Sequence, residues 1–217
     1  MILPVPSKPI TIHFVRHAAS ESNMRHGYFG EHDPPLVDSG REQAAHLGSA
    51  LVRLGVKPAI WASSELVRAK ETLEILAIAM HVRHADSIVD PRLNEIHRGD
   101  WTGKAYDEVL SDPEAFRQFR DDHTFRPPNG ESMADVSLRM SETFCDLVKL
   151  LSVNRGSEAL IVSHGRAIQA LHMWFSGCRP DLGWRYRLDN TSVTTFEYHE
   201  RDGWRVARIN ARPHMGW

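Results

Sequence analysis

Long apolar runs are missing from this sequence: no stretch approaches the ~20 residues that a helix needs to cross a bilayer. Pro4 and Pro6 interrupt the N-terminal segment where a secretory leader would carry an unbroken apolar helix. Cysteine is scarce. Cys145 and Cys178 are too few for a disulfide framework and lack a metal-binding spacing. Nor is there an excess of positive charge. The 26 Lys+Arg against 28 Asp+Glu leave −2, whereas a protein that grips nucleic acid by displacing counterions is normally basic. Internal repeats and low-complexity tracts are also lacking. These absences point to a cytoplasmic protein with neither nucleic acid nor membrane as partner.

What is present suits a globular fold. With 41% apolar and 25% charged residues in 217, the chain can bury a normal core, and its length fits a single domain over 1–217. Short apolar runs alternate with helical stretches, the pattern of an α/β layered fold. Strands are expected at 10–16, 59–62, 87–89 and 159–163, and a hairpin at 192–199 and 204–210 around Glu200-Arg201-Asp202-Gly203. Helices are expected at 39–54, capped by Asp38 or Ser39 and ended by Gly55, and at 65–80, 132–151 and 166–175. Ser132 and Asp135 form a capping-box-like start to the third of these. Residues 104–130 are polar, hold two short helical stretches and read as an insertion covering one sheet edge like a lid.

Open parallel sheets bind ligands beyond the carboxyl ends of their strands, so the strand ends carry the chemistry. The first ends in Arg16-His17, the second leads to Arg68, the third to Glu95 and the fourth to Ser163-His164-Gly165. Two histidines, two or three arginines and a glutamate on one edge suit a phosphoryl group. Arginine meets its oxygens with a planar fork, and N–H groups at a helix start add to the attraction. Arg16 and Arg68 fit that task, and with two imidazoles the charge is met without Mg²⁺. Imidazole is also a competent nucleophile near neutral pH. No metal and no cofactor is expected, and the partner is a small phosphorylated substrate.

The same residues carry a family resemblance. Val15-Arg16-His17-Ala18-Ala19-Ser20-Glu21-Ser22-Asn23 resembles the Arg-His-Gly-x-Thr/Ser-x-x-Asn signature of the histidine phosphatase superfamily, also called phosphoglycerate-mutase-like. Leu36–Ala44, Ser63–Thr72, Leu93-Asn94-Glu95 with Gly99, Trp101 and Gly103, Val162–Gly165, and Asn190–Thr194 resemble its further blocks in order and spacing. The resemblance implies a three-layer sandwich: a mostly parallel central sheet with helices on both faces. It implies His17 as the nucleophile that becomes phosphorylated. Arg16, Arg68 and His164 would hold the phosphoryl oxygens, with Gly165 beside them and Asn23 donating at the rim. Glu95 would protonate the leaving alcohol and then deprotonate water, a task for a carboxyl of raised pKa.

Some positions depart from the pattern. Ala18 stands where glycine is usual. Arg166 follows His164-Gly165 where glycine is common; it either reaches a second anionic group of the substrate or points to solvent. His97 and Arg98 replace the Asp/aromatic pair of the phosphatase branch and bear on substrate shape. Bland readings compete at each site: Arg68 can pair with Glu65 or Glu71 along its helix, and Glu95 can be a solvated carboxylate. His81 and His84 sit three apart but lack a third ligand, so an exposed face is expected there. Arg25, His26 and Tyr28 either line the pocket mouth or lie in a solvated loop. The run from Asp121 to Ser132 resembles the Pro-Pro-Gly-Gly-Glu-Ser segment of small-molecule phosphatases rather than the arginine-rich insertion of mutases, which favours hydrolysis over transfer. A phosphoglycerate mutase and a non-catalytic phospho-ligand binder are the alternatives. The hairpin edge and scattered tryptophans leave a homodimer open.

Overall fold

Alternating apolar side chains shape a six-stranded sheet in the computed structural model, which describes residues 3–24, 33–82, 86–109, 111–153, 156–178 and 186–216. The strands are β1 (Ile10–Arg16), β2 (Ile60–Ser63), β3 (Ile88–Val89), β4 (Glu158–Ser163), β5 (Val193–His199) and β6 (Gly203–Ala211), in the order β3-β2-β4-β1-β5-β6. Strands β1 to β4 run parallel, while β5 is antiparallel to β1 and β6 to β5. The sheet is therefore mostly parallel, with the expected hairpin at one end.

Helices cover both faces. The short α1 (Glu21–Met24) precedes α2 (Asp38–Arg53) and α3 (Val67–Ala79). Leu47, Leu51, Leu73 and Leu76 of α2 and α3 pack with Val15, Trp61, Leu160 and Val162. On the other face, Ile12, Phe14, Ala62, Ala159 and Ile161 meet α6 (Met133–Val153) and α7 (Gly165–Ser176) through residues such as Phe144 and Leu171. Phe14 and Phe144 each meet Phe196 edge-on, at 5.8 and 5.5 Å between centroids. Each fully buried side chain of this kind contributes about 1.5–3 kcal/mol. The two faces alternate along each strand because successive side chains point to opposite sides.

The insertion carries α4 (Tyr106–Val109) and α5 (Pro113–Asp121), the two short helices expected there. Asp112 caps α5, accepting from the Ala115 N–H at 3.1 Å. Phe119 packs on Trp101 at 5.2 Å, and both join the core on the α6–α7 side. Gly99, at φ +57°, brings this region against the polyproline turn. A side chain there would collide with the Pro128 carbonyl, whose oxygen accepts from Asp100 N at 2.9 Å.

Two local expectations divide. Ser132 and Asp135 do cap α6 reciprocally, Asp135 N donating to Ser132 Oγ at 3.1 Å and Ser132 N to Asp135 Oδ2 at 2.9 Å. Helix α2 is not capped by Asp38 or Ser39. It begins at Asp38, its N-cap is Val37 without a side-chain bond, and Asp38 instead pairs with Arg41 at 2.8 Å. The start of α2 is fixed by packing: a side chain at Gly40 would strike the Ala19 carbonyl, so only glycine lets the helix sit against the loop after β1. Gly55, at φ +76°, does follow the helix as expected.

Candidate active site

Register places the chemistry. Arg16 pairs with Ser163 across β1 and β4, so His17 and His164 leave adjacent strand ends side by side. His17 N bonds Ser163 O at 2.9 Å, and Ser64 N bonds Val162 O at 3.1 Å, which extends the alignment one residue beyond the sheet. The imidazole centroids of His17 and His164 lie 5.0 Å apart.

His17 is 3% exposed, and its Nδ1 lies 2.8 Å from the Ala18 carbonyl oxygen. A carbonyl only accepts, so Nδ1 carries the proton and Nε2 presents a bare lone pair. Burial, then the charges of Arg68 and Arg16, push the His17 pKa well below its usual 6.5. The ring is neutral and nucleophilic. Ala18 fits its position without strain: it is absent from the positive-φ residues, and its N–H donates to Thr72 Oγ1 at 3.0 Å.

His164 is fully buried, with Nε2 2.7 Å from Ser64 Oγ. That oxygen also accepts from Leu66 N at 3.3 Å. When the hydroxyl gives its hydrogen to Nε2, the imidazole proton sits on Nδ1. Burial, followed by Arg68, His17 and Arg16, likewise lowers the His164 pKa.

Arg16 donates through Nη1 to the Leu188 carbonyl and lies against Gly165, where an added Cβ would stand 3.5 Å from its Nε. Arg68 is 7% exposed and pairs with Asp33 at 3.4 Å, not with Glu65 or Glu71. Those two carboxylates are taken by Asn94 and Arg41. Asp33 also accepts from Val67 N, so it caps α3 and orients Arg68 together. Arg16 Nε, Arg68 Nε and His164 Nδ1 are buried with no hydrogen-bond partner among the described residues. A buried donor left unpaired costs about 1–3 kcal/mol, more when charged. Three of them around His17 form a socket for an anion's oxygens.

Glu95 is half-buried, not solvated. Its carboxylate accepts from Ile96 N at 3.0 Å, Arg166 N at 3.1 Å and Ala167 N at 3.2 Å, so it sits on the first turn of α7, directly after His164-Gly165. Glu95 and Arg68 line a cleft of about 370 Å³ together with Arg98, Thr102 and Arg139. Asn23 is tied to Ser20 after β1 and to Asn190. Its Oδ1 accepts from Ser20 N at 3.1 Å and Asn190 Nδ2 at 3.0 Å.

Three residues here escaped the sequence reading. Asn190 bridges the His17 carbonyl, at 2.9 Å, and Asn23. Ser64 holds His164, and Arg139 pins the Glu95 turn by donating to the Arg92 and Asn94 carbonyls, each at 2.7 Å. Ser64 and Asn190 stood inside the quoted blocks, which was the available signal; Arg139 had none. Arg166 does not point to solvent: it is half-buried, and Nη1 donates to Gln169 Oε1 at 2.9 Å. His97 is exposed and reaches the Asn129 carbonyl at 3.1 Å. His81 is exposed, whereas Arg25, His26, Tyr28 and His84 lie outside the described residues. Among the described residues no group of three or more His, Cys, Asp or Glu is placed to hold a metal, and no helix is long and apolar enough to cross a membrane.

A parallel sheet with two neutral imidazoles and unpaired guanidinium nitrogens at its carboxyl edge defines a phosphoryl-transfer class of protein. The family model of the histidine phosphatase superfamily (branch 1) matches residues 12–212. The chain is 31% identical over 212 residues to the probable phosphoglycerate mutase GpmB of Enterobacter sp. (strain 638), covering 95% of each. Among solved structures it resembles Bacillus stearothermophilus YhfR, at TM-score 0.81 and 32% identity over 94% of this chain and 98% of that one. It also resembles the mycobacterial glucosyl-3-phosphoglycerate phosphatase, at TM-score 0.79 and 28% identity over 94% and 100%. The chain belongs to the histidine phosphatase superfamily, and it is an enzyme of the phosphatase class.

Proposed function

We propose that this protein is a metal-independent phosphatase that hydrolyses small phosphorylated metabolites through a phosphohistidine on His17. The observation that carries this reading is the bare Nε2 of a buried, neutral His17 flanked by the unpaired nitrogens of Arg16, Arg68 and His164. Nε2 attacks phosphorus, the P–N bond forms and the P–O bond to the alcohol breaks. Arg16, Arg68 and His164 Nδ1–H take up the charge on the three equatorial oxygens. Glu95 gives a proton to the leaving oxygen, then takes one from the water that attacks phosphorus and frees His17. Asn190 holds the His17 carbonyl, and Asn23 donates a further hydrogen bond at the pocket rim. Gly165 lies beside Arg16 at the start of α7 and contributes to the phosphate pocket. The chain works as one domain in the cytoplasm.

The name of the 31%-identical relative favours a second reading, a mutase. Against it, the arginine of the 121–132 run is engaged by the next helix: Arg126 pairs with Asp135 of α6 at 2.6 Å, and neither lines the cleft. Release of inorganic phosphate from p-nitrophenyl phosphate in EDTA tests the proposal. Steady release that vanishes in His17→Ala is expected. No release from pure wild-type protein leaves a phospho-ligand binder. Isomerisation of 3-phosphoglycerate with negligible phosphate release makes the mutase the answer.

A further inference from the structure

The chain from Leu188 to Ser192 wraps the end of β1 and touches both residues that stand there. Arg16 Nη1 donates to the Leu188 carbonyl, and Arg16 N donates to the Ser192 carbonyl at 3.0 Å. Thr191 N turns back on the pair, 3.0 Å from the Arg16 carbonyl oxygen and 3.4 Å from that of His17. Asn190 Nδ2 adds a second donor to the His17 carbonyl at 2.9 Å. One turn therefore fixes where His17 leaves the strand and where the Arg16 guanidinium lies.

That turn is not held by the preference of its own residues. Thr191 stands at φ +56°, in the left-handed region that a β-branched residue avoids, so its surroundings must keep it there. Thr191 is buried, and its Oγ1 donates to the Asn190 carbonyl at 2.6 Å. The single hydroxyl hydrogen is thereby used, so the oxygen accepts at 3.1 Å from His214 Nε2.

His214 belongs to a short 3₁₀ turn, Pro213–Met215, that follows β6 and packs against α2. Its Nδ1 is sealed from solvent and has no hydrogen-bond partner among the described residues, so the ring forgoes water while Nε2 stays on Thr191. Residues 210 and 212 reach the same turn. Asn210 Oδ1 accepts from Asp189 N at 2.7 Å, its Nδ2 donates to Asp189 Oδ2 at 3.1 Å, and Arg212 pairs with Asp189 at 3.6 Å. None of the three lines the cleft beside Glu95.

We propose that His214 is a positioning residue: through the Thr191 hydroxyl it holds Thr191 in its left-handed conformation, and so sets the direction in which His17 attacks and the reach of Arg16. The assignment rests on the reading of His17 as the nucleophile. His214 touches neither reacting group, and acts on them through the peptide groups of the 188–192 segment.

The test measures kcat on p-nitrophenyl phosphate for variants first shown by thermal melting to be folded at the assay temperature. His214→Leu keeps apolar bulk without the donor and should lower kcat about tenfold, the loss of one orienting bond beside the reacting pair. His214→Gln offers an amide N–H in place of Nε2–H and should recover most of that loss. Combined with Thr191→Ala, His214→Leu should cost no more than Thr191→Ala alone, because both changes cut one bond. Where His214→Leu does not fold, His214→Asn replaces it, since its shorter amide stops short of Thr191. An unchanged kcat without the donor, no recovery with glutamine, or losses that multiply in the double variant each overturn the proposal. Nitrogen NMR of the imidazoles reads the same claim without turnover. The His17 signals, assigned by their loss in His17→Ala, should shift in His214→Leu and return in His214→Gln. Such a reversible shift supports the proposal even where the wild type releases no phosphate. His17 signals that are identical in wild type and His214→Leu refute it whatever the catalytic result.

Discussion

Acidification should unfold this protein with unusual steepness, because three histidines are buried as neutral rings. His13, His17 and His164 are 7%, 3% and 0% exposed. Burial, with Arg208 second, brings the His13 pKa down to about 4, and burial holds the other two well below 6.5. A ring of this kind binds its proton less well folded than unfolded. Its contribution is complete above the unfolded pKa of 6.5 and is lost as pH falls toward the folded value. Each such ring costs about 1.4 kcal/mol per pH unit below that point. Between pH 6 and 5 His13, with a folded value of about 4, should alone remove about 1.4 kcal/mol, and His17 and His164 add losses of the same sign, against the ~5–15 kcal/mol that holds a typical domain folded. Carboxylates held low by arginine, such as Asp135 beside Arg126, lose their share only below about pH 4, outside this window. Urea unfolding at pH 7, 6 and 5 measures the slope, and His13→Thr should flatten it by about 1.4 kcal/mol per unit. A wild-type slope at or below about 1.4 kcal/mol per unit would refute the picture of several neutral buried rings.

Two further outcomes follow from the site. Ser64→Ala removes the 2.7 Å partner of His164 Nε2 and frees the ring to adopt the wrong tautomer. A loss of about 1–3 kcal/mol is expected in transition-state binding, read as roughly a 5- to 150-fold fall in kcat/KM, while an unchanged kcat/KM would remove Ser64 from the mechanism. Glu95→Gln should slow hydrolysis of alkyl phosphates by about 10²–10⁴-fold and that of p-nitrophenyl phosphate far less, since nitrophenolate leaves without a proton. Equal loss on both esters would count against Glu95 as the acid.

Much of the site was legible because it sits where strands end. The apolar runs before Arg16-His17 and Ser163-His164 announce parallel strands, and a parallel sheet brings such ends together by construction. What stayed hidden depends on register and long-range packing. That Ser64 meets His164 follows from pairing Ser63 with Val162, a fact no local pattern contains. Pairing of Arg68 with Glu65 or Glu71 was the competing reading of an arginine expected at the phosphoryl site, but Asp33 takes it instead, because the same carboxylate also satisfies the Val67 N–H at the helix start. The start of α2 was misjudged for a similar reason. Steric fit of Gly40 against Ala19 replaced the side-chain cap that composition suggested.

The anchoring of Glu95 has a wider consequence. Its carboxylate is tied to the peptide N–H groups of residues 166 and 167, while the guanidinium of Arg166 faces elsewhere. Position 166 thus holds that carboxylate through its backbone alone, whatever side chain it carries. Selection can therefore exchange the side chain at 166 and leave the hold on Glu95 untouched, since a peptide N–H is common to every residue but proline.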